Sequence, residues 1–422
     1  MSSHNEAASN YFNQYGRLLL ANFVIVAILG CIMRYKIGFD FPYLEQKYLQ
    51  HAHSHFAFAS WISLALYLII LHSMQAQSRW TAWLHKLIFA QYLMGFGMLF
   101  SFAVAGYNWL SITFSTATVI ISYIILYLYI HHRKDTSDEH PWTKWFLWAL
   151  IWQALSSVGT FVLAYMMASH NIDQHSYLAS VYFFLHFQYN GWFLFGIIGA
   201  ALYFLKQNFH VSIDDGLPFR FLKWSVLPAY GLSVLWMDLP WFVYILVVAF
   251  VILQTVGIAI LLLRIYSVKD KVVPHILPLI KWGSLFAGSA YGIKFLLQLF
   301  SVIPAMSKLA FGFRPIVIAY LHLVLLAASS TTLILLLTGL GVLKYNRNFA
   351  RGFYVLLIGI FCNEAILALQ GFASFEYIAI PWANMALFTV SIVMLTGLIV
   401  MFSSQWNKQI AAAANGFGHS GC

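Results

Sequence analysis

The residues best suited to chemistry are three histidines that alternate at the start of a long apolar stretch, HAHSHFAFASWISLALYLIIL. They are His51, His53 and His55. An imidazole inside a lipid bilayer is costly unless it is paired, faces a cavity, or binds a metal or haem. Three of them so close together predict a metal or redox site in a membrane protein.

Helical spacing divides these histidines between two faces. Residues four apart share a face of a helix, whereas residues two apart point in nearly opposite directions. His51 and His55 therefore point one way and His53 the other, so one helix cannot direct all three to one metal ion. We expect one face to supply a haem ligand and the other to meet a second metal, a quinone or water. The alternative for His51 and His55 is helix capping at the wet membrane interface.

Two further histidines stand in apolar segments. His322 lies in FRPIVIAYLHLVLLAASS, where a neutral imidazole fits an axial haem ligand, and the alternative is a lone core histidine. His186 lies in YFFLHFQYNGWFLFG and is followed by the polar residues Gln188, Tyr189 and Asn190. Such a polar group predicts a cavity or pathway, or else an interhelical hydrogen-bond network.

Two charged side chains also fall inside apolar segments. Lys294 lies in YGIKFLLQ and Glu364 in FCNEAIL. Intramembrane charges usually pair with each other or mark a transport path. A buried Lys–Glu pair and a proton or ion relay are therefore both open.

Composition sets the class of protein. The chain is 61% hydrophobic and only 9% charged, whereas a soluble domain has about 25% charged residues. We therefore expect an all-α, polytopic membrane protein whose main partner is the lipid bilayer. The net charge of +10 comes without a basic stripe or recognition motif, which excludes nucleic acid as a partner.

The remaining signatures limit the cofactor. Cys31, Cys362 and Cys422 have neither metal-ligand nor disulfide spacing. No CxxCH motif is present for covalent haem attachment, so any haem is held non-covalently by histidines. No cleavable signal peptide is recognised, and the first span is expected to be retained.

Apolar runs of roughly 20 residues predict about twelve transmembrane helices. Residues 1–422 are expected to form a single twelve-helix domain, with a polar N-terminal tail (1–17) and a flexible C-terminal tail (404–422). No internal repeat is evident. The predicted spans are 18–38, 51–74, 84–106, 109–131, 144–169, 177–205, 219–237, 240–265, 275–303, 314–343, 351–373 and 381–403.

The distribution of Lys and Arg predicts the orientation. The even-numbered loops hold fourteen of them, whereas the odd-numbered loops hold five. We therefore expect both termini to be cytoplasmic and the protein to lie in the inner (cytoplasmic) membrane. Predicted helices 2, 6 and 10 then run from outside to inside, which places His53, His186 and His322 in the outer part of the bilayer. Lys294 and Glu364 are expected at a similar depth.

These residues resemble the large subunit (subunit I) of the haem–copper oxidase superfamily, which includes the nitric oxide reductases. The resemblance rests on the histidines of helices 2, 6 and 10, on HFQYNGWF, and on Arg34 before the helix-2 histidines. The resemblance in topology covers the whole chain, whereas the resemblance in sequence is limited to short motifs. It implies a subunit I-like bundle of twelve helices with both ends inside.

The resemblance implies a low-spin, non-covalent haem b. In the family this haem is ligated by a histidine of helix 2 and one of helix 10, which correspond here to His322 and to one of His53 and His55. His53 is preferred because a small residue, Ser54, follows it, as is usual in the family. Arg34 is similar to an arginine that the family places near the low-spin haem.

The active-site metal centre departs from the family pattern. His186 matches its first ligand, but Tyr320 stands where the high-spin haem ligand is expected, and Asn190 stands where the reductases place a glutamate. The seventh predicted helix, PFRFLKWSVLPAYGLSVLW, has no histidine pair to complete the metal site. The resemblance thus implies that the low-spin site is retained and that the centre reducing oxygen or nitric oxide is lost or rebuilt.

The first functional hypothesis is electron transfer through the b-type haem, with electrons from a redox partner subunit, a cytochrome or quinol. The second is an oxidoreductase similar to cytochrome c oxidase or nitric oxide reductase, with a second metal, Cu or Fe, in a remodelled centre. Residues available to such a centre are His186, His51, His55, Tyr189, Lys294 and Glu364. The third is a haem-free transporter or channel lined by Lys294, Glu364 and His186.

Overall fold

The computed structural model describes residues 2–74, 79–136, 139–171, 173–237, 239–307 and 313–406, with side chains from residue 12 onward. Over these ranges the chain is helical and contains no strand. The predicted all-α class is therefore confirmed for the part of the chain that is described. Backbone polar groups in lipid must be satisfied within the protein, and a helix satisfies them within a single segment.

The helices follow one another with short connections. In chain order the α-helices are α1 (Ser2–Gly38), α2 (Gln46–Phe56), α3 (Ser63–Ser73), α4 (Arg79–Ala105), α5 (Trp109–Thr136), α6 (Pro141–Ala168), α7 (Gln174–His186), α8 (Leu194–Phe209), α9 (Gly216–Ala229), α10 (Trp241–Ser267), α11 (Lys269–Val272), α12 (Pro278–Phe300), α13 (Arg314–His322), α14 (Thr331–Gly339), α15 (Arg347–Phe375) and α16 (Ala383–Ser403). Short 3-10 helices occupy Tyr230–Val234, Val273–His275 and Ser404–Trp406.

Nine helical segments among the described residues are long and apolar enough to cross a membrane. They are Phe12–Gly38, Gln46–Ser73, Arg79–Ala105, Trp109–Thr136, Pro141–Ala168, Trp241–Ser267, Arg314–Gly339, Arg347–Phe375 and Ala383–Trp406. The other predicted spans, 177–205, 219–237 and 275–303, are largely helical too. The chain thus has the architecture of a helical, multi-pass membrane protein.

The structure describes part of each predicted terminal tail. Helix α1 begins at Ser2, so the stretch expected to be a polar tail (1–17) continues the first span as helix. At the other end, the buried side chain of Gln405 accepts a hydrogen bond from the backbone N–H of Lys344, 2.9 Å away. Residues 404–406 are therefore anchored, and the rest of the predicted C-terminal tail lies outside the described residues.

Three π-helices interrupt the described helices, and each follows a candidate histidine. π1 (Ala57–Ile62) joins α2 to α3, π2 (Phe187–Phe193) joins α7 to α8, and π3 (Leu323–Ser330) joins α13 to α14. They begin at intervals of roughly a third of the 422-residue chain. π-Helices are rare and often occur at functional sites. They reveal a structural repetition of the histidine-bearing helices that the sequence does not show.

Indole hydrogen bonds join the π-helices at the centre of the bundle. The Trp61 Nε1–H of π1 donates to the Ser330 hydroxyl of π3 over 2.9 Å. The Trp192 Nε1–H of π2 donates to the Ser63 hydroxyl at the start of α3, also over 2.9 Å. Both indoles are fully buried, and a buried indole N–H needs a partner. These bonds fix the histidine-bearing helices relative to one another.

The direction of the helices defines the two ends of the bundle. Arg34 lies near the end of α1, and Arg314 at the start of α13 donates to Gln50 of α2 over 3.2 Å. The end of the bundle that contains Arg34, Gln50 and Arg314 is called the Arg34 end, and it corresponds to the predicted outer face. Arg17 and the ring of Trp406, 5.5 Å apart, lie at the opposite end.

We expect Trp61→Phe to lower the thermal unfolding midpoint in detergent, because Ser330 loses its indole donor inside the bundle. The loss corresponds to about 1–2 kcal/mol, the range for buried hydrogen bonds in helical membrane proteins. Trp83→Phe is the matched control, since Trp83 is 54% exposed. Equal midpoints for the two variants would show that the π1–π3 bond contributes nothing to stability.

Candidate functional site

His53 is held from one side by helix α1. Its Nδ1 lies 3.0 Å from the Val26 carbonyl oxygen. Because a carbonyl only accepts, Nδ1 carries the proton and donates it, which leaves Nε2 as a lone-pair nitrogen. The ring sits beside Gly30, where an added Cβ would lie 3.6 Å from the His53 Cε1 atom. Helix α1 therefore fixes both the tautomer and the position of this imidazole.

His322 has the same tautomer by a different route. Its Nδ1 lies 2.8 Å from the carbonyl oxygen of Ile318, one turn earlier in α13. The Nδ1–H donates to this carbonyl, and Nε2 again keeps its lone pair. The π3 helix starts directly after this residue.

The two imidazoles lie close enough to interact electrostatically with each other and with Arg34. Both are surrounded by protein, yet both retain accessible surface. They therefore lie near each other at the Arg34 end of the bundle. In the described part of the chain, neither Nε2 has a hydrogen-bond partner.

His53 and His322 are residues that could hold a haem. A metal-ligating histidine usually donates its second ring N–H to a carbonyl or carboxylate, which fixes its tautomer and raises its basicity. His53 and His322 each meet this requirement through a backbone carbonyl. Neutral imidazole is a ligand type that haem iron uses in proteins.

His51 and His55 occupy the other face of α2, next to the turn between α4 and α5. The His55 Nε2 lies 3.1 Å from the Tyr107 hydroxyl, and its ring stacks on Phe102 at 4.4 Å with an interplanar angle of 8°. Burial raises the pKa of Tyr107 to about 12, so the phenol is protonated and donates. His55 therefore directs its Nε2 toward Tyr107, on the face of α2 opposite His53.

His186 uses both ring nitrogens within the protein. Its Nε2–H donates to the Val226 carbonyl over 2.8 Å, and its Nδ1 accepts from the Asn190 amide over 3.1 Å. The Val226 carbonyl is available because the Tyr230 N–H bonds to Leu227 where α9 tightens into a 3-10 helix. His186 thus acts as a bridge between α7 and α9, and a metal would have to displace one of these partners.

The chain of hydrogen bonds continues to Lys294. The Lys294 ammonium nitrogen donates to the Asn190 carbonyl oxygen over 2.5 Å, and the lysine is fully buried. Glu364 instead accepts from Asn363 over 3.1 Å. Among the residues that the structure describes, no ion pair joins Lys294 to Glu364. The expectation of a buried Lys–Glu pair is therefore wrong, because the amide of Asn190 takes the place of the carboxylate.

Tyr189 and Tyr320 meet beside this chain. Their ring centroids are 6.0 Å apart in an edge-to-face arrangement, and the Tyr189 side chain also interacts with Ser233. The structure therefore links the polar residues of π2 to the helix that carries His322. Over the described residues, no group of three or more His, Cys, Asp or Glu side chains has a metal-binding arrangement.

Sequence reasoning missed several residues that support these sites. The Val26 carbonyl carries no side-chain signal at all, and Gly30 is one glycine among 26. Tyr107 lies in the turn sequence AGYNW, which indicates only a connection between helices. Asn190 was visible as a polar residue, but its two hydrogen-bond partners come from different helices.

The comparisons with known proteins add no relative. No model of a known protein family matches this chain, and no curated protein matches its sequence.

We expect Asn190 and Lys294 to be energetically coupled. Asn190→Leu leaves a buried amine without its acceptor, whereas Lys294→Met removes the amine, so the double variant should recover part of the loss. A double-mutant cycle on thermal stability should give a coupling of about 1–3 kcal/mol. Additive effects would show that the bond contributes no net stability.

Proposed function

We propose that this protein is a membrane haem-b protein that transfers electrons through a low-spin haem ligated by His53 and His322. One observation carries the proposal. Both histidines donate Nδ1–H to a backbone carbonyl and keep the Nε2 lone pair for a ligand, and the two rings lie close enough to interact electrostatically. Arg34 lies close enough to both rings for its charge to act on them.

The chain's own residues have defined tasks in this proposal. The carbonyls of Val26 and Ile318 hold the ligand tautomers. The Trp61–Ser330 bond fixes the spacing between the two ligand-bearing helices. The haem, when bound, supplies one-electron chemistry. Two histidine ligands would favour electron transfer, because they would leave the iron no open position for a substrate.

The proposed membrane arrangement extends the resemblance to subunit I of the haem–copper oxidase superfamily. It has twelve spans, with both termini on the cytoplasmic side of the inner membrane. The nine apolar helices and the helical character of the other three segments support it. The electron donor would be a redox partner subunit, a cytochrome or quinol.

The geometry favours electron transfer over a remodelled reductase centre. A second metal, Cu or Fe, at His186 would need a free ring nitrogen, and both of its nitrogens have protein partners. Tyr189 interacts with Tyr320 and Ser233, and Lys294 is bound to Asn190. These residues form an internal hydrogen-bond network that joins helices, which is also the structural alternative to a transport path.

The test is an oxidised and reduced absorption spectrum of the purified protein. The reduced wild-type protein should show a sharp low-spin haem b signal. His53→Ala and His322→Ala should each remove it, because one axial ligand is lost. His55→Ala should keep it, since the His55 Nε2 faces Tyr107.

Two controls make the result decisive. His275→Ala changes an exposed histidine and should leave the haem content unaltered. Circular dichroism and gel filtration confirm that each variant is folded. A wild-type protein without haem would overturn the proposal, and loss of the signal in His55→Ala but not in His53→Ala would overturn the ligand assignment.

Arg34→Leu should retain the haem and lower its midpoint potential by tens of millivolts. A positive charge near the iron favours the reduced form, which carries one less positive charge. Arg351→Leu, an exposed change on another helix, provides the control for altered net charge. The measurement is a potentiometric titration followed at the low-spin band. An unchanged midpoint potential would show that the charge of Arg34 does not act on the haem.

A further inference from the structure

A second group of potential ligands lies on the face of α2 opposite His53. It consists of His51, His55 and Tyr107, and is called the His/Tyr cluster. His51 and His55 are one turn apart on the same helix face. Tyr107 lies in the turn between α4 and α5, and its ring contacts the imidazoles of His51 and His55. Neither the proposed haem site nor the hydrogen-bond chain at His186 includes these residues.

The three rings converge. The centroids of His51 and His55 are 6.4 Å apart, and the Tyr107 centroid lies 4.6 Å from that of His51 and 6.0 Å from that of His55. The His55 Nε2 and the Tyr107 oxygen are in direct contact at 3.1 Å. The Phe102 ring stacks on the His55 ring and so packs against the cluster. Two imidazoles and a phenol therefore bring their polar atoms to one side of α2.

One polar atom of the cluster has no hydrogen-bond partner. The Nε2 of His51 is shielded from solvent, and no hydrogen bond to it is found among the described residues. A buried polar atom without a hydrogen-bond partner destabilises the fold. Its location beside a second imidazole and a phenol indicates a ligand that all three groups share.

A cavity of about 70 Å³ lies next to His55, and its walls include Ser115, Thr118 and Met98. Its described lining includes neither His51 nor Tyr107. That volume is enough for one or more water molecules. A metal ion held by two imidazoles and one oxygen usually takes water as a further ligand.

We propose that the His/Tyr cluster binds a divalent transition-metal ion, of the class of Cu²⁺ or Zn²⁺, at the Arg34 end of the bundle. Imidazole nitrogen is a preferred ligand of both ions. Two histidines at positions i and i+4 of a helix place their nitrogens on one side of the metal. Tyr107 supplies the oxygen ligand, and its hydroxyl proton leaves to solvent when the metal binds.

Neighbouring charges affect the affinity of this site for a cation. The nearest ionisable neighbours that act on the cluster are Lys47, one turn before His51, and Tyr177 near the start of α7. Lys47 is exposed, so water screens its repulsion of a bound cation. Its removal should strengthen metal binding without touching a ligand.

The experiment is equilibrium dialysis of the purified, haem-containing protein against Zn²⁺ and Cu²⁺, followed by metal analysis. A purification tag without histidine is used. The expected result is one ion per chain. His51→Ala and His55→Ala should each weaken binding by more than about tenfold, since even lost supporting contacts have effects of that size. Lys47→Gln should strengthen binding severalfold.

Spectroscopy distinguishes metal binding at the His/Tyr cluster from non-specific binding by surface histidines. Cu²⁺ should give an electron paramagnetic resonance spectrum with two nitrogen ligands and a phenolate-to-copper absorption band. Tyr107→Phe should remove that band and keep the nitrogen couplings. His275→Ala, at an exposed histidine, should change nothing.

The outcome distinguishes this site from the proposed haem site, because His53→Ala should remove the haem signal and leave metal binding intact. The proposal is overturned if His51→Ala and His55→Ala bind the ion as the wild type does. It is also overturned if Lys47→Gln, next to the cluster, leaves the affinity unaltered and Tyr107→Phe, at the proposed oxygen ligand, leaves the spectrum unaltered.

Discussion

A histidine inside a bundle has two ring nitrogens, and the partner of one decides what the other is able to do. In His53 and His322 a backbone carbonyl accepts a hydrogen bond from Nδ1–H, so Nε2 keeps its lone pair. In His186 both nitrogens are used, and the ring becomes a bridge between helices. The same residue type therefore has different chemistry at similar places in related helices. The difference comes from whether one or both ring nitrogens meet a hydrogen-bond partner.

The π-helices explain how the bundle positions these rings. A π-helix widens the turn that follows each candidate histidine, and it shifts the register of the residues beyond it. Trp61 and Trp192 then reach hydroxyl groups on neighbouring histidine-bearing helices. Because lipid offers no partner to a polar group, such bonds specify which helices meet. The ligand geometry at one end of the bundle thus depends on hydrogen bonds at its centre.

The two faces of α2 have distinct surroundings as a result. His53 faces α1, where Val26 and Gly30 fix its ring. His55 faces the turn after α4, where Tyr107 meets it. A single short segment therefore serves two proposed sites, one for a haem and one for a metal ion. This accounts for three histidines in a stretch where one ligand would suffice for a haem.

The sequence by itself determined the helical membrane class, the position of most spans and the division of the helix-2 histidines between two faces. These follow from hydropathy and from the 3.6-residue period, which are local properties of a chain in lipid. The partners of each ring were decided only by the tertiary structure. The Val26 carbonyl that contacts His53 comes from the preceding helix, and the bond between Asn190 and Lys294 joins residues 104 positions apart. A backbone carbonyl has no sequence signature, so only the packing of helices shows which imidazole nitrogen remains free to bind a ligand.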